Sequence, residues 1–400
     1  MSRTSDHTTE HATGHRIARA VQHITSTALG PHQSAIVRIG FGATWLLFLL
    51  RELPHRHALY GPDGPWSHAM AEQLIAGNDA FTVLLWSDGP LWFEFVYGIS
   101  VLSSLLLMLG WHTRAVSAVF MVGVLSLQNR SIFVGDGGDN VIHLMAIYLV
   151  LTRCAQVWSL DARRSAHSGG RDRVGPALWT VFGVLLFIGT VVGRVGGEWW
   201  IFALFWALWI FHGVWWAVSR YAADSEPRTF LDVLANLVHN AAIVLIMAEV
   251  CLIYATAGWY KIQGSRWQDG TALYYPLKLD YFAPWPAVSD LLAAGGVMVM
   301  VLTYGTVIVQ VAFPFTLFNR RVKNVLLVGM MLEHAAIAVL LGLPFFSLAM
   351  IAADAVFLPT AFLVGLGAWM SRRRDRVRAR VDIPRQRRRG SEDRPRKFVG

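Results

Sequence analysis

Ten apolar runs recur between residues 34 and 370, and several reach the roughly 20 residues that a helix needs to cross the hydrocarbon of a bilayer. In that solvent a backbone can satisfy its polar groups only within a helix or a closed barrel, and uninterrupted apolar runs select helices. With 54% hydrophobic residues, 15% charged residues and a mean hydropathy of +0.44, the chain is too apolar for a soluble globular domain. The expected fold is an all-α polytopic membrane protein of about ten transmembrane helices. Their positions are near 34–50, 92–110, 115–128, 138–152, 176–193, 199–218, 232–260, 292–318, 324–341 and 345–370. The third and fourth are short enough to tilt or to be partly re-entrant.

Charge orients this array. The net charge is +9, yet residues 371–400 alone hold 13 Lys/Arg against 4 Asp/Glu, so the rest of the chain is neutral. A basic tail directly after the last apolar run fixes orientation at anionic headgroups, which argues against nucleic acid as a partner. With ten spans and both termini cytoplasmic, inner segments carry 27 Lys/Arg and outer segments 7. The expected division is a polar cytoplasmic segment over 1–33, a transmembrane domain over 34–370 and an Arg-rich, disordered cytoplasmic tail over 371–400. Residues 174–220 read as an inserted helical hairpin that restores the original sidedness, with Arg194 and Glu198 at its turn. Residues 1–33 contain no apolar stretch of signal-peptide type, so the first span is expected to be an uncleaved anchor in the plasma membrane. Cys154 and Cys251 lie in or beside apolar runs without CxxC spacing, defining neither a disulfide framework nor a zinc site.

The outer side carries the chemistry-bearing residues. One loop, 51–91, contains YGPDGP and the interfacial residues Trp66 and Trp86. A second begins where the apolar run around Glu249–Gly258 delivers Lys261 to the interface, followed by Trp267, Asp269-Gly270 and Tyr274-Tyr275. Lys261 either snorkels to mark the helix end or sits in a partly dry pocket as a base. Further candidates are the GDGGDN turn with Asp139, Asn140 and His143; Glu249 and Tyr254; and Glu333-His334 with Asp354. Ionisable groups inside spans are costly and therefore carry functional hypotheses. Asp139 and Asn140 have capping as their plain alternative, and His143 stands four residues after Asp139 on the same helix face. Glu249 and Lys261 are not a direct pair, since twelve residues separate them by about 18 Å and about 120° around the helix. There is no P-loop, dinucleotide fingerprint, HExxH or GxSxG, so no nucleotide or metal cofactor is expected.

An ordered set of separated pieces resembles the vitamin K-dependent γ-carboxylase-like family, whose membrane domain is called HTTM. They are RIGFG (38–42), LYGPDGP (59–65), LGWHTR (109–114), RSIFVGDGGDNVIHLMAIYL (130–149), WSLDARR (158–164), YATAGWYKIQGSRWQDGTALYY (254–275), FPFTLFNRR (313–321), and the Glu333-His334 pair with FFSLAMIAAD (345–354). The resemblance implies a bacterial-type member without the large extra-membrane domain of the eukaryotic carboxylases. It implies a reduced naphthoquinone, vitamin K-like, as cofactor, oxidised with O₂ at the outer face, with Lys261 matching the family's hydroquinone base. Eukaryotic members carry two adjacent lysines there, whereas this chain has Tyr260-Lys261.

The leading expectation is therefore a carboxylase-like, quinol-dependent enzyme. Lys261 acts as base; Asp139, Asn140 and His334 assist by hydrogen bonding or proton relay; Trp267, Tyr274, Tyr275 and Tyr254 hold the ring. A peptide or protein substrate at the outer face is the expected partner, with the lipid bilayer around the spans. Two alternatives stay open. One is a non-enzymatic membrane factor for the maturation of, or immunity to, a secreted peptide. The other is a proton-coupled transporter using Glu249, His334 and Asp354.

Overall fold

Proline in the first turn starts five of the helices, including the first long apolar one, where a left-handed Gly30 precedes Pro31. Proline fits there because its missing N–H would have no helical partner anyway. A computed structural model describes residues 4–62, 64–78, 80–131, 133–167, 173–193 and 199–392. Among these every regular element is helical. The hairpin turn with Arg194 and Glu198, Asp63 of the YGPDGP loop and residues 393–400 of the tail lie outside the described residues.

In chain order, α1 (Thr4–Ser26) leads into α2 (Pro31–Glu52). The long loop after it contains α3 (Arg56–Tyr60) and α4 (His68–Asn78). Then come α5 (Pro90–Leu109), α6 (Thr113–Gln128), α7 (Gly137–Leu151) and the polar α8 (Leu160–His167). α9 (Val174–Val191) and α10 (Trp199–Tyr221) form the hairpin, and α11 (Glu226–Gln263) follows with 38 residues. Short helices α12 (Ser265–Gln268), α13 (Tyr274–Lys278) and α14 (Pro286–Ala294) fill the second loop, before α15 (Gly296–Ala312), α16 (Arg320–Leu340) and α17 (Pro344–Asp354). A second unit, residues 358–400, contains α18 (Thr360–Glu392), which continues past Ser371, where the basic stretch begins.

Seven helical stretches among the described residues are long and apolar enough to cross a membrane, and eight if Pro344–Phe357 and Thr360–Arg376 count as one broken span. The third and fourth expected spans are indeed short helices, α6 and α7, of 16 and 15 residues. Two expected runs are interrupted. Residues 292–318 divide between α14 and α15 and end in a 3₁₀ turn at Phe313–Thr316. Residues 345–370 break after Asp354 into a 3₁₀ turn over Ala355–Phe357. There Pro359 disfavours helical backbone at the residue before it.

Pieces far apart in sequence hold the first unit together. Arg38 is fully buried, and its guanidinium donates to the carbonyls of Leu107 (2.6 Å), Met108 (3.1 Å) and Trp158 (2.8 Å). The same two turns of α2 pack closely on two neighbours, from opposite faces. A Cβ on Gly40 would stand 2.6 Å from Cβ of Ala352, and one on Gly42 would stand 2.9 Å from the backbone N of Met108. Only glycine permits such an approach of helix backbones. Asp161 caps α6 by accepting from the backbone N–H of His112 (2.9 Å) and Thr113 (2.8 Å). RIGFG, LGWHTR and WSLDARR thus form one joint.

A second joint ties the first long loop to α6 and its end. Arg130, 2% exposed, donates to the carbonyl of Gly61 at 3.1 Å, while Thr82 and Asn129 exchange side-chain hydrogen bonds with Ser126 O and Phe81 O. At the other end of the bundle, Asn236, His239 and Asn240 of α11 hold the end of α1 and the turn after it, through Thr25, Leu29 and Ile24. His239 accepts the N–H of Arg153 at Nδ1 (2.9 Å), so Nε2 carries the proton given to Leu29 O. In the hairpin, Trp179 and Trp209 stack at 4.1 Å, and each indole N–H donates to the other's carbonyl at 2.9 Å. Both hairpin helices bury little of their apolar surface within the protein, which leaves broad apolar faces for lipid.

The Arg38 joint makes a stability prediction. Arg38→Met leaves buried carbonyls without their charged donor, and each such orphan costs about 1–3 kcal/mol. Thermal unfolding in detergent should show loss of about 3 kcal/mol for Arg38→Met, and little change for Arg51→Met, whose side chain is 62% exposed. Equal midpoints for both variants would refute the joint.

Candidate functional site

Tyr254 and Lys261 stand seven residues apart on α11, two turns along one face. Each begins a separate polar chain. Lys261 Nζ donates to Gln310 Oε1 at 2.5 Å, and Gln310 Nε2 donates to Glu333 Oε1 at 2.6 Å. The ammonium also lies 5.2 Å from the centroid of the Trp267 ring. Gln310 belongs to α15 and Glu333 to α16, so one lysine joins three helices.

Tyr254 is the centre of the second chain and is 1% exposed. Its hydroxyl lies 3.0 Å from His334 Nε2 and 3.0 Å from each carboxylate oxygen of Asp354. A hydroxyl donates only once. With Tyr254 donating to Asp354, His334 donates to Tyr254 from Nε2 and keeps Nδ1 as a bare acceptor. That Nδ1 is buried and, among the described residues, has no hydrogen-bond partner. The rings of Phe313 and Phe346 close the cluster, at 6.0 Å from Tyr254 and 5.5 Å from His334. Asp354 and His334 are 0% and 3% exposed, so these groups depend on one another for the partners that lipid cannot supply.

The GDGGDN turn adjoins this cluster through Phe346. A Cβ on Gly138 would stand 2.8 Å from Cα of Phe346, and only glycine lets α7 start so close to α17. Asp136, not Asp139 or Asn140, is the N-cap: its Oδ1 accepts from Gly138 N and Asp139 N, and Asp139 Oδ2 accepts from Asp136 N at 2.7 Å. Asp139 and His143 do not meet directly. Gln128 stands between them, donating to Asp139 O (3.0 Å) and Oδ1 (3.3 Å) and facing His143 Nδ1 through Oε1 at 3.2 Å. Asn140 is exposed.

Of the residues expected to act together, the structure brings Trp267 to Lys261 and joins Tyr254 to His334. Tyr274 and Tyr275 are 43% and 44% exposed and pack edge-to-face on each other, with the Arg266 guanidinium 5.3 Å from the Tyr275 ring. Outside the spans, Asp269 is held below the usual carboxylate range, first by its hydrogen bond from Thr271. Sequence reading passed over Gln310. Its signal was present, since an amide in the apolar run of α15 needs a partner as much as a charge does. Gln128 and Asp136 carried no such signal, as polar groups beside a glycine-rich turn are ordinary. Protein-family models, curated proteins and solved structures contain no match to the chain.

The Tyr254 hydroxyl bridges two buried groups, so its removal should not be additive with theirs. Tyr254→Phe and Asp354→Asn should each destabilise the protein by about 1–3 kcal/mol. The double variant should fall short of the sum by about 1 kcal/mol. A thermal-unfolding cycle in detergent checks this, and strict additivity would refute the shared hydrogen bond.

Proposed function

We propose that the chain is a multi-pass protein of the plasma membrane, crossing it ten times with both termini cytoplasmic. In this reading it is a carboxylase-like enzyme that oxidises a lipid-soluble quinol with O₂ at its outer face. The observation that carries the reading is the partner of Lys261: the nearest acceptor of its amine is the uncharged amide of Gln310. A lysine held by a carboxylate must break an ion pair to act as a base. One held by an amide takes and returns a proton with its position unchanged. The carboxylate of Glu333 stands one residue further along the chain of hydrogen bonds, where it balances the ammonium.

The residues around Lys261 fit a flat, reducible ring. Trp267 supplies an aromatic wall beside the amine, and in the loop that follows, Met300 and Tyr304 pack against Gly270. A reduced naphthoquinone supplies, when bound, an acidic hydroxyl and the electrons that reduce O₂. The protein's part is to accept the hydroxyl proton at Lys261 Nζ, hold that amine through Gln310, and keep water away with Trp267. His334 Nδ1 is a second base within the same helix group. The resemblance to vitamin K-dependent γ-carboxylases supports the assignment of Lys261. It also suggests a peptide or protein at the outer face as the final acceptor.

Oxygen uptake in nanodiscs containing a reduced naphthoquinone tests this reading. Wild type should consume O₂ and form an epoxide detectable by mass spectrometry, and Lys261→Ala should lose at least about 100-fold, the usual scale of a general base. Uptake by folded Lys261→Ala equal to wild type eliminates the base. Absence of uptake in both eliminates quinol chemistry and favours a non-enzymatic role in maturing a secreted peptide.

The Tyr254 cluster favours a second reading, proton-coupled transport, because His334 and Asp354 share one hydrogen-bonded group inside apolar helices. Glu249, half-buried on α11, precedes Tyr254 by five residues. Proton-driven substrate flux in proteoliposomes, lost in Asp354→Asn, would select this reading over the first.

A further inference from the structure

Four helix ends meet around the Trp215 indole, and they bring more arginine than carboxylate. Arg114 is the second residue of α6, Arg153 follows the end of α7, Arg228 lies in the first turn of α11, and Trp215 lies in the last turns of α10. Trp215 is 5% exposed, with the Arg114 guanidinium 3.9 Å from one of its rings and that of Arg153 5.6 Å away. Asp232 is bonded within this group, accepting from Arg228 Nε at 2.8 Å and lying 4.0 Å from Arg153, while Asp161, bound to the backbone of Thr113, faces Arg114 from beyond ion-pair distance. Arg153 also donates to Asn236 Oδ1 at 2.5 Å. Arg114 is different. Among the described residues no carboxylate lies within 4.0 Å of it and no side-chain hydrogen bond ties it down, and it is exposed.

A guanidinium stacked on an indole is fixed in orientation, and its five donors lie in the plane of the fork rather than on the stacked face. That edge matches a phosphate, which accepts two parallel N–H groups at once. Three guanidinium groups against Asp232 and the more distant Asp161 leave an excess of positive charge beside it. The position at helix ends, on the side to which loop charge assigns the cytoplasm, is the depth at which headgroup phosphates stand. We propose that Arg114, with Arg153 and Arg228 behind it and Trp215 beneath it, is a phosphate-binding site for an anionic glycerophospholipid at the foot of α6, α7, α10 and α11. The site fastens the α9–α10 hairpin to the bundle through the lipid headgroup, so the hairpin is held by Trp215 from the protein side and by the phosphate from the membrane side. It is independent of Lys261 and of the quinol reading.

Native mass spectrometry of the full chain in detergent tests this, with phosphatidylglycerol, phosphatidylcholine and inorganic phosphate offered separately. Wild type should retain phosphatidylglycerol preferentially, and Arg114→Gln should retain about tenfold less, the loss of one charge-assisted bond. Arg114→Lys keeps the charge but neither the fork nor the planar stacking on the indole, and should lose several-fold; it decides the matter if Arg114→Gln does not fold. An Arg114-dependent adduct with inorganic phosphate alone would support the same site with a soluble ligand as its source. Equal retention of phosphatidylglycerol by wild type and Arg114→Lys, or equal retention of both lipids by wild type, would overturn the proposal.

Discussion

A polar group placed among apolar helices must find its partner in the protein, because lipid offers none. That requirement, more than apolar contact, decides how this chain is put together. Lipid is as apolar as leucine, so burial of leucine distinguishes poorly between one helix pairing and another. Arg38 distinguishes sharply. Its guanidinium reaches carbonyls on α5 and on the segment before α8 at once, which fixes α2 against both. Arg130 does the same for the first long loop, and Asn236, His239 and Asn240 do it for the end of α1. The glycines of α2 add close approach where these bonds have already set the register.

The separated pieces of sequence that resemble one family turn out, in large part, to be the two sides of such joints. Arg38 of RIGFG closes on WSLDARR and on the two residues just before LGWHTR, and Arg130 closes on Gly61 of LYGPDGP. An ordered set of short motifs can therefore report a scaffold as readily as a reaction, and these particular residues are spent on the scaffold. The pieces around Lys261 and His334 are of another kind. They meet in groups whose hydrogen bonds run between polar side chains rather than to backbone, an arrangement that can change its protonation without dismantling a helix.

Helix class and the placement of the apolar runs were legible because period and length follow from backbone geometry alone. The breaks at 295 and near 358 were harder, since they depend on how a glycine pair and a proline are used within runs that remain apolar on either side. At the site, Lys261, His334, Tyr254 and Asp354 stood out as polar residues in apolar surroundings, and Glu333 was noticed only as a neighbour of His334. Their pairing did not follow, because partners 23 to 100 residues away are chosen by packing and leave no periodicity in the sequence. That Asp136 is the N-cap of α7, with Asp139 completing the capping box, follows from extended backbone at Asp136, which spacing does not specify.

The two polar chains of the site are tied at one peptide bond. Glu333 and His334 are consecutive on α16, and consecutive residues on a helix point about 100° apart. Glu333 therefore meets Gln310 and, through it, Lys261, while His334 meets Tyr254 and, through it, Asp354. Neither side chain can reach the other's partners, so no proton passes directly between the chains by rotation of one residue. What they share is a rigid helix turn in a medium of low dielectric, where charges a few ångströms apart interact far more strongly than in water. A proton gained at Lys261 alters the field at His334, and a proton lost from Asp354 alters the field at Glu333.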